Sequence, residues 1–341
     1  MEELVVNIVA LQGSSFELGL VQSEEVQTTQ LRQQLQFLEN LTANSNSEKA
    51  KEILQAISPN LLEELRGLAK GLNIKLDTII KLYSGYDVMF PSMGCTAFIN
   101  DDYYVRNYDF SPQLYDGRLV FSNPVEGYAS IGFSQQVIGR LDGMNEKGLV
   151  VGLHFVNNEH KGEGFLATTI VRMLLEQCGS VQEAVDFMAT IPHGFCYNYS
   201  ITDSSGEGVI VEATPEKQAV HVGNPLICTN HFEAQALQEK NKKELQRSIN
   251  RKEYIKSLLL EQLSPLTAYH HFNDGNSPLF FKNYDDYFGT LHTVVYVPKT
   301  LSLIVGVGEN CEPITCSFQD YLDGTIDLPN VIKGTINQTH S

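Results

Sequence analysis

Hydrophobic residues recur at about helical spacing through the first ninety residues of the chain. One stretch, rich in Gln and Glu between its hydrophobic positions, carries Val21, Val26, Leu31, Leu35 and Leu38. A second stretch begins at Ser58-Pro59, a pair typical of a helix start, and places on one side Leu61, Leu62, Leu65, Leu68 and Leu72. Because such a stripe is stable only when it is buried, the pattern predicts amphipathic helices packed on a core, after a short opening strand.

From Cys95 onward the pattern changes to short strand-like runs separated by Gly, Asn, Asp and Pro. The runs read CTAFIN, YYVRN, RLVFSN, YASIGF and GLVVGLHF, followed later by NYSITD, GVIVEA, QAVHVG and PLICTN. Helical spacing returns at residues 166–189 and at residues 233–260. Near the end, LHTVVYV and LSLIVGVG predict a hairpin that turns at Pro298-Lys299, and the polar tail from Gly324 is predicted to be loosely held. This order of elements favours an α+β fold with stacked antiparallel sheets over a parallel βαβ sheet.

Composition narrows the class of protein. The chain has 341 residues, of which 42% are hydrophobic, so it can bury the core of one large domain or two ordinary ones. With 24 basic and 41 acidic residues it carries a net charge of −17, which disfavours nucleic acid and membrane surfaces as partners. The acidic start predicts no secretion signal, and no apolar run is long enough to predict a membrane span. Six cysteines without a CxxC pair favour a reducing, cytoplasmic location.

Motifs for cofactors and metals are missing from the sequence. Gly306-Val307-Gly308 lacks the third glycine of a dinucleotide-binding loop, and no HExxH or paired Cys/His ligand set occurs. His270 and His271 are neighbours, and in a strand two adjacent side chains point to opposite faces. We therefore expect neither a metal site nor a bound cofactor.

Cys95 is the residue whose position suggests chemistry. It begins the first clear strand, directly after Gly94. Cleavage of the Gly94-Cys95 bond would expose an α-amino group, with a pKa of about 7.7 to 8.0, beside a thiol with a pKa of about 8.5. The freed residue would then supply both nucleophile and base. Judged alone, Cys95 would more often be one more buried, inert thiol.

Charged neighbours favour the chemical interpretation. In the next strand, YYVRNYDF, alternation places Asn107 and Asp109 on one face and Arg106 on the other. Asp109 would orient the freed ammonium, and Arg106 would favour the thiolate or grip a substrate carboxylate. The alternative is an ordinary surface ion pair at a strand end.

Several segments, in this order, resemble one enzyme family. They are ELRGLAKGL, GCTAF, RNYDF, DGMNEKGLVVG, VIVEATPE, ICTNHF and the stretch Ser248-Ile249-Asn250-Arg251. Together they are similar to the N-terminal nucleophile cysteine amidohydrolases of the acyl-coenzyme A:6-aminopenicillanate acyltransferase-like family, which is related to choloylglycine hydrolases and penicillin V acylases. The resemblance implies a four-layer αββα sandwich of two antiparallel sheets. Residues 1–94 would form a helical pro-segment packed on the core, and residues 95–341 the catalytic domain.

The resemblance also implies roles for individual residues. Cys95 is similar to the family nucleophile, freed by a cut after Gly94, with Asp109 as its polar support and Arg106 beside it. Asn230 in TNHF resembles the side-chain donor of the oxyanion hole. Arg251 resembles a distal arginine of the same network, although Arg247 lies one helical turn away and is an alternative.

The chain departs from the related bile-salt enzymes after DGMNEKG. Asn145 is expected to serve a hairpin turn. His154 stands where choloylglycine hydrolases tend to carry an oxyanion asparagine, so His154 and Phe155 are candidate substrate-binding residues, while the second oxyanion donor would be a main-chain N–H. The short spacing from Cys95 to Arg106 favours the acyltransferase-like branch.

The resulting hypothesis is an autoproteolytically activated acylase that cleaves or transfers the acyl group of a small linear amide through a Cys95 thioester. Its partners would be an N-acyl compound and an acyl acceptor, and the sequence leaves a homo-oligomer open. Two rivals remain. One is an uncut thiol hydrolase with His154 or His231 as base, and the other is a non-catalytic binding protein on the same fold.

Overall fold

The computed structural model describes residues 2–28, 31–32, 35–88, 91, 93–157, 159–258, 263–284, 288–326 and 329–337. Its strands are β1 (Glu2–Gly13), β2 (Gly94–Ile99), β3 (Tyr104–Phe110), β4 (Arg118–Pro124), β5 (Ser130–Gln135), β6 (Gly139–Arg140), β7 (Asp142–Asn145), β8 (Val150–Asn157), β9 (Cys196–Thr202), β10 (Gly208–Ala213), β11 (Gln218–Val222), β12 (Leu226–Cys228), β13 (Lys282–Asn283), β14 (Phe288–Val297), β15 (Ser302–Val307), β16 (Ile314–Ser317) and β17 (Val331–Ile336). Its helices are α1 (Ser15–Thr28), α2 (Leu35–Leu41), α3 (Ser47–Ile57), α4 (Pro59–Leu72), α5 (Leu76–Tyr83), α6 (Ala167–Gln177), α7 (Val181–Met188), α8 (Gln246–Leu258), α9 (Pro265–Asn273) and α10 (Phe318–Leu322).

Two sheets stack face to face at the centre of the molecule. The larger, ten-stranded within the described residues, has the order β11-β10-β9-β8-β7-β5-β4-β1-β17, with β6 beside β5. The smaller, seven-stranded, has the order β12-β2-β3-β14-β15-β16, with β13 beside β14. Strands β2 and β8 pack against each other across the interface between the sheets. Fully buried apolar side chains from both sheets fill that interface.

Helices cover the outer face of each sheet. Helices α1, α6 and α7 pack on the large sheet, and α8 and α9 pack on the small one. The layers therefore follow the order helix, sheet, sheet, helix, which confirms the α+β class and the αββα sandwich expected from the sequence. No helix in the described ranges is both long and apolar enough to cross a bilayer.

The first ninety-four residues contribute more than helices to this architecture. Strand β1 is twelve residues long and lies inside the large sheet, between β4 and β17. Its pairing with β4 is parallel, whereas its pairing with β17 is antiparallel. The parallel pair departs from the expected all-antiparallel sheets, and the long connection from β1 to β4 makes it feasible.

Helices α1 and α4 approach so closely that side chains are excluded at their crossing. A Cβ on Gly19 would lie 2.0 Å from the Glu64 carbonyl oxygen, and one on Gly67 would lie 1.9 Å from the Phe16 carbonyl oxygen. Glycine at both positions lets the two backbones touch. Glu64, on α4, pairs there with the buried Arg172 of α6 at 2.7 Å.

Three predictions about local structure are wrong. The tail after Gly324 is not loosely held throughout, because its VIKGTI segment forms β17 and buries Ile332 and Ile336. The helix predicted at residues 233–260 begins only at Gln246, and residues 259–260 lie outside the described part. The preceding loop is closed instead by hydrogen bonds between Asn241 and the Phe232 main chain.

The third error concerns the adjacent histidines. His270 and His271 lie on α9, not on a strand, and the Ser264-Pro265 pair at its start is a helix-start signal that the prediction overlooked. The prediction of a hairpin at Pro298-Lys299 is confirmed by the antiparallel pairing of β14 with β15. The six cysteines are free thiols, as expected, and all but Cys311 are buried.

Candidate active site

Cys95 lies in β2 at the point where its neighbour β12 stops. The register of the two strands ends at Ala97, opposite Cys228. Beyond it, side chains bind the main chain of Cys95 in place of a strand. The Cys95 N–H donates to Asn230 Oδ1 at 3.0 Å, and its carbonyl oxygen accepts from Arg251 Nη1 at 2.9 Å. The main-chain nitrogen of Cys95 thus already faces a polar group that an α-amine would also bind.

The thiol of Cys95 points to the opposite side, into the interface between the sheets. Arg106 Nη2 donates a hydrogen bond to Sγ at 3.0 Å. Burial raises the pKa of the Cys95 thiol to about 11, although the guanidinium of Arg106 opposes that rise. In the uncut chain the thiol is therefore protonated at neutral pH, and a base is needed to make it a nucleophile.

Arg106 is fixed by a buried carboxylate that the sequence analysis did not single out. Its Nη1 pairs with Asp142 Oδ2, and its Nη2 also donates to the Leu153 carbonyl oxygen at 2.6 Å. Asp142 in turn accepts from the Tyr296 hydroxyl at 2.7 Å and lies 3.3 Å from His292 Nε2. Burial opposes ionisation of Asp142, but Arg106, His292 and Tyr296 together outweigh it and hold the pKa of Asp142 below its usual value. The result is a charged pair that joins β3 of one sheet to β7 of the other.

Asp109 faces away from the thiol, toward the helices on the small sheet. The predicted alternation is present, because Asn107 also points that way and binds the Phe272 carbonyl oxygen on α9 at 2.8 Å. Asp109 Oδ1 accepts from Thr290 Oγ1 at 2.6 Å, and Oδ2 lies 3.5 Å from Arg251 Nη1. Burial raises the pKa of Asp109, and the guanidinium of Arg251 counteracts it. Asp109 lies opposite Gly94 in the register of β2 and β3.

Arg251 and Asn230 close the site on the side of α8. Arg251 Nη2 donates to Asn230 Oδ1 at 2.7 Å, whereas Arg247 is exposed, so Arg251 is the arginine that reaches Cys95. Asn230 Nδ2 donates to the Phe155 carbonyl oxygen at 2.7 Å. Because two donors meet Oδ1 and one acceptor meets Nδ2, the orientation of the Asn230 amide is fixed.

His154 and Phe155 lie on β8, which packs against β2. His154 is completely buried and its Nε2 lies 2.8 Å from Ser200 Oγ. Burial, helped by Arg106, holds the pKa of His154 far below its usual value, so the imidazole is neutral. The Phe155 ring contacts Tyr197 edge to face, with centroids 5.8 Å apart, and Lys242 Nζ lies 4.5 Å from its centroid.

Neither candidate histidine base is hydrogen-bonded to the Cys95 sulfur, although His154 lies within hydrogen-bonding reach of the Cys95 main chain. In the described part of the chain, the hydrogen bond to the Cys95 sulfur comes from Arg106, and none joins it to His154 or His231. The part of the chain that the structure describes contains no group of three His, Cys, Asp or Glu side chains arranged to hold a metal ion. The structure thus brings together Gly94 with the five predicted catalytic residues, namely Cys95, Arg106, Asp109, Asn230 and Arg251.

Ser248, on α8, is a further member of the site. Its Oγ accepts from the Asn230 main-chain N–H at 2.8 Å and lies 2.8 Å from His231 Nδ1. Burial lowers the pKa of His231, and the Nδ1 of a neutral imidazole can accept a hydrogen bond from the Ser248 hydroxyl. The Ser-x-x-Arg spacing, which puts Ser248 and Arg251 on one helical face, is the sequence signal that could have found it.

Ser248→Ala is expected to lower turnover about tenfold. The substitution leaves the partly buried Asn230 N–H without its acceptor, which costs about 1 kcal/mol and loosens the Asn230 side chain. Steady-state kinetics on an amide substrate would measure the loss. Ser257→Ala, on an exposed position of the same helix, is the matched control and should match the unmodified protein. Equal activity of both variants would contradict a role for Ser248.

Comparison with known proteins places the chain near acyl-group enzymes. A family model described as acyl-coenzyme A:6-aminopenicillanic acid acyl-transferase matches residues 98–311. No curated protein sequence matches the chain. A solved mutant of conjugated bile acid hydrolase from Clostridium perfringens is 14% identical, with a TM-score of 0.48 over 72% of this chain and 98% of that one. Penicillin V acylase from Agrobacterium tumefaciens is 16% identical, with a TM-score of 0.39 over 72% and 93%.

Proposed function

The chain belongs to the acyl-coenzyme A:6-aminopenicillanic acid acyl-transferase family, whose model covers more than half of it, and we propose that it is a self-activating cysteine acylase. The matched region begins after Cys95, so the assignment of Cys95 as the nucleophile rests on geometry. The main support is a pair of hydrogen bonds that Cys95 makes. Its sulfur accepts from Arg106 and its nitrogen donates to Asn230, each at 3.0 Å.

Activation begins with attack of the Cys95 sulfur on the Gly94 carbonyl carbon. The S–C bond forms, the Gly94-Cys95 C–N bond breaks, and the thiol proton ends on the released nitrogen. Water then hydrolyses the thioester, which leaves a carboxylate on Gly94 and a free α-amine on Cys95. The new amine lies beside Asn230 Oδ1, where the former N–H was bound.

Turnover repeats these steps on a small linear amide. The α-amine, with a pKa near 7.7 to 8.0, takes the thiol proton, which the buried thiol does not lose by itself at neutral pH. The Arg106 guanidinium stabilises the thiolate, and the ammonium protonates the leaving amine. Asn230 Nδ2 donates one hydrogen to the Phe155 carbonyl oxygen. Its other hydrogen, together with a main-chain N–H, would face the oxyanion. One such donor contributes a factor of about 10² to 10³ in rate.

The acyl group then passes to water or to an amine, which makes the protein a hydrolase or an acyltransferase. The family's name describes transfer to an amine. We propose a small N-acyl compound as the donor, because Cys95, His154 and Phe155 lie in a buried, aromatic setting. The uncut thiol hydrolase needs an imidazole at the sulfur, whereas none of the described hydrogen bonds of His154 and His231 reaches the Cys95 sulfur.

Intact mass under denaturing conditions tests activation. We expect two chains, one of 94 residues and one of the remaining 247, with the second beginning at Cys95. A single chain of 341 residues that nevertheless hydrolyses amides would contradict the amine base and favour the histidine rival. A processed chain that turns over none of a panel of N-acyl amides would contradict the acylase proposal.

A further inference from the structure

Gly94 sits in a narrow slot that leaves no room for a side chain. It is completely enclosed in β2. A Cβ on Gly94 would lie 2.3 Å from Phe288 Cζ and 2.9 Å from Asp109 Oδ2. Contacts this short do not occur between real atoms, so one wall would have to move.

The two walls differ in how far they can yield. Asp109 is fully buried and fixed through Thr290 and Arg251, at 2.6 Å and 3.5 Å. Phe288 is only partly buried, and its ring contacts Phe281 edge to face at a centroid distance of 5.6 Å. The slot is therefore rigid on one side and adjustable at a cost on the other.

In the proposed mechanism, self-cleavage and turnover each pass through a thioester on the Cys95 sulfur. In the first, the Cys95 sulfur carries the carbonyl of Gly94, with the Gly94 α-carbon next to it. In the second, the same sulfur carries the carbonyl of the substrate, with the substrate α-carbon next to it. The groups that bind Cys95, namely Arg106 and Asn230, would serve both reactions, which would put the two α-carbons in one position.

We propose that this slot selects the acyl group, so that the protein acts on acyl donors whose α-carbon is unbranched, with Phe288 as the specificity-determining residue. This inference rests on the proposed acylase function. Asp109 forms the fixed wall and Phe288 the one that excludes an α-substituent on the side of an L-residue's Cβ. Met93, the residue before the slot, is 4% exposed, so the surroundings beyond the α-carbon accept an apolar group.

Three 4-nitroanilides test the slot on the processed protein: those of hexanoic acid and of the two enantiomers of 2-methylhexanoic acid. We expect kcat/KM to be about 10- to 100-fold lower for the enantiomer whose methyl group matches the Cβ of an L-residue, since overpacking costs about 1–3 kcal/mol. Phe288→Leu should recover about tenfold on that enantiomer alone. Phe16→Leu makes the same aromatic-to-aliphatic change at a partly exposed position of α1. It should leave the ratio of kcat/KM between the two enantiomers unchanged.

The chain's own acyl group provides a second test that needs no substrate. Gly94→Ala places the same methyl group in the slot, and we expect self-cleavage to slow at least tenfold, with Phe288→Leu in the same chain restoring it. Equal turnover of all three anilides, or cleavage of Gly94→Ala at the normal rate, would overturn the slot while leaving the acylase proposal intact. Failure of a processed chain to turn over any anilide would count against the acylase proposal, and the self-cleavage series then decides the slot alone.

Discussion

Replacing Cys95 by alanine is expected to abolish both self-cleavage and amide turnover. Alanine leaves the fold intact, because among the described residues the thiol makes one hydrogen bond, with Arg106, inside an otherwise packed interface. The substitution removes the sulfur that Arg106 binds, and loss of a covalent nucleophile lowers turnover by about 10⁴-fold or more. Intact mass should show one chain of 341 residues, and the amide assay should fall to background.

Cys316→Ala is the matched control, because Cys316 is another buried free thiol in the small sheet. It should be cut and should turn over substrate like the unmodified protein. Cleavage that persists in Cys95→Ala would show that another group attacks the Gly94 carbonyl. Turnover that persists without cleavage would show that substrate chemistry uses a different nucleophile.

Asp142→Asn is expected to destabilise the protein by about 3–5 kcal/mol. The carboxylate pairs with Arg106 where both side chains have no solvent exposure, and removal of one member leaves the other charge buried and uncompensated. Since the chain has no tryptophan, equilibrium urea unfolding is best followed by far-ultraviolet circular dichroism. A lower midpoint at an unchanged slope would measure the loss.

Asp102→Asn makes the same chemical change in an exposed pair. The Asp102 side chain is 74% exposed and lies 3.0 Å from Lys299 Nζ, so solvent already screens the pair and little change is expected. If the two variants unfold at the same urea concentration, the buried pair does not stabilise the junction between the sheets. If only Asp142→Asn is affected, its amide turnover should fall as well, because Arg106 loses the group that orients it toward Cys95.

The motif resemblance predicted which residues converge, and the spacing alone did not. GCTAF, RNYDF and TNHF placed Cys95, Arg106, Asp109 and Asn230 in one hypothetical site, and the structure brings all four together. Strand alternation also gave the correct opposite faces for Arg106 and Asp109. Their catalytic roles and the cut after Gly94 stay predictions.

Partners in the second sheet were not predictable in this way. Asp142 was part of the quoted DGMNEKG motif, but only Asn145 of that motif was given a role, in a turn. Nothing local indicates that Asp142 meets Arg106 across the interface between the sheets. Sheet-to-sheet contacts depend on which faces stack, and a period of two residues tells only that two faces exist. Ser248 was missed for a similar reason. Helical spacing indicates which residues share a face of a helix, but not which part of the protein that face packs against.

Two of the three fold-level errors fall on short elements. Tertiary packing outweighs the local pattern in strand β17, whereas helix α9 carries a local start signal that was overlooked. Ile332 and Ile336 are the buried hydrophobic residues in the described part of this tail, and they complete the core once β1 offers a free edge. Long amphipathic stretches such as α4, in contrast, carry enough signal to be predicted from sequence alone.

Strand β1 also has a consequence for how the protein is made. Its partners in the sheet, β4 and β17, begin more than one hundred and more than three hundred residues further along the chain. During synthesis β1 therefore leaves the ribosome long before β17 exists. In the strand order of the described residues, β17 lies at the end of the sheet, beside β1. Such distant pairing slows folding, because the loop must close before any contact compensates its entropy. The large sheet is completed only once residues 331–336 have been synthesised, when β17 pairs with β1.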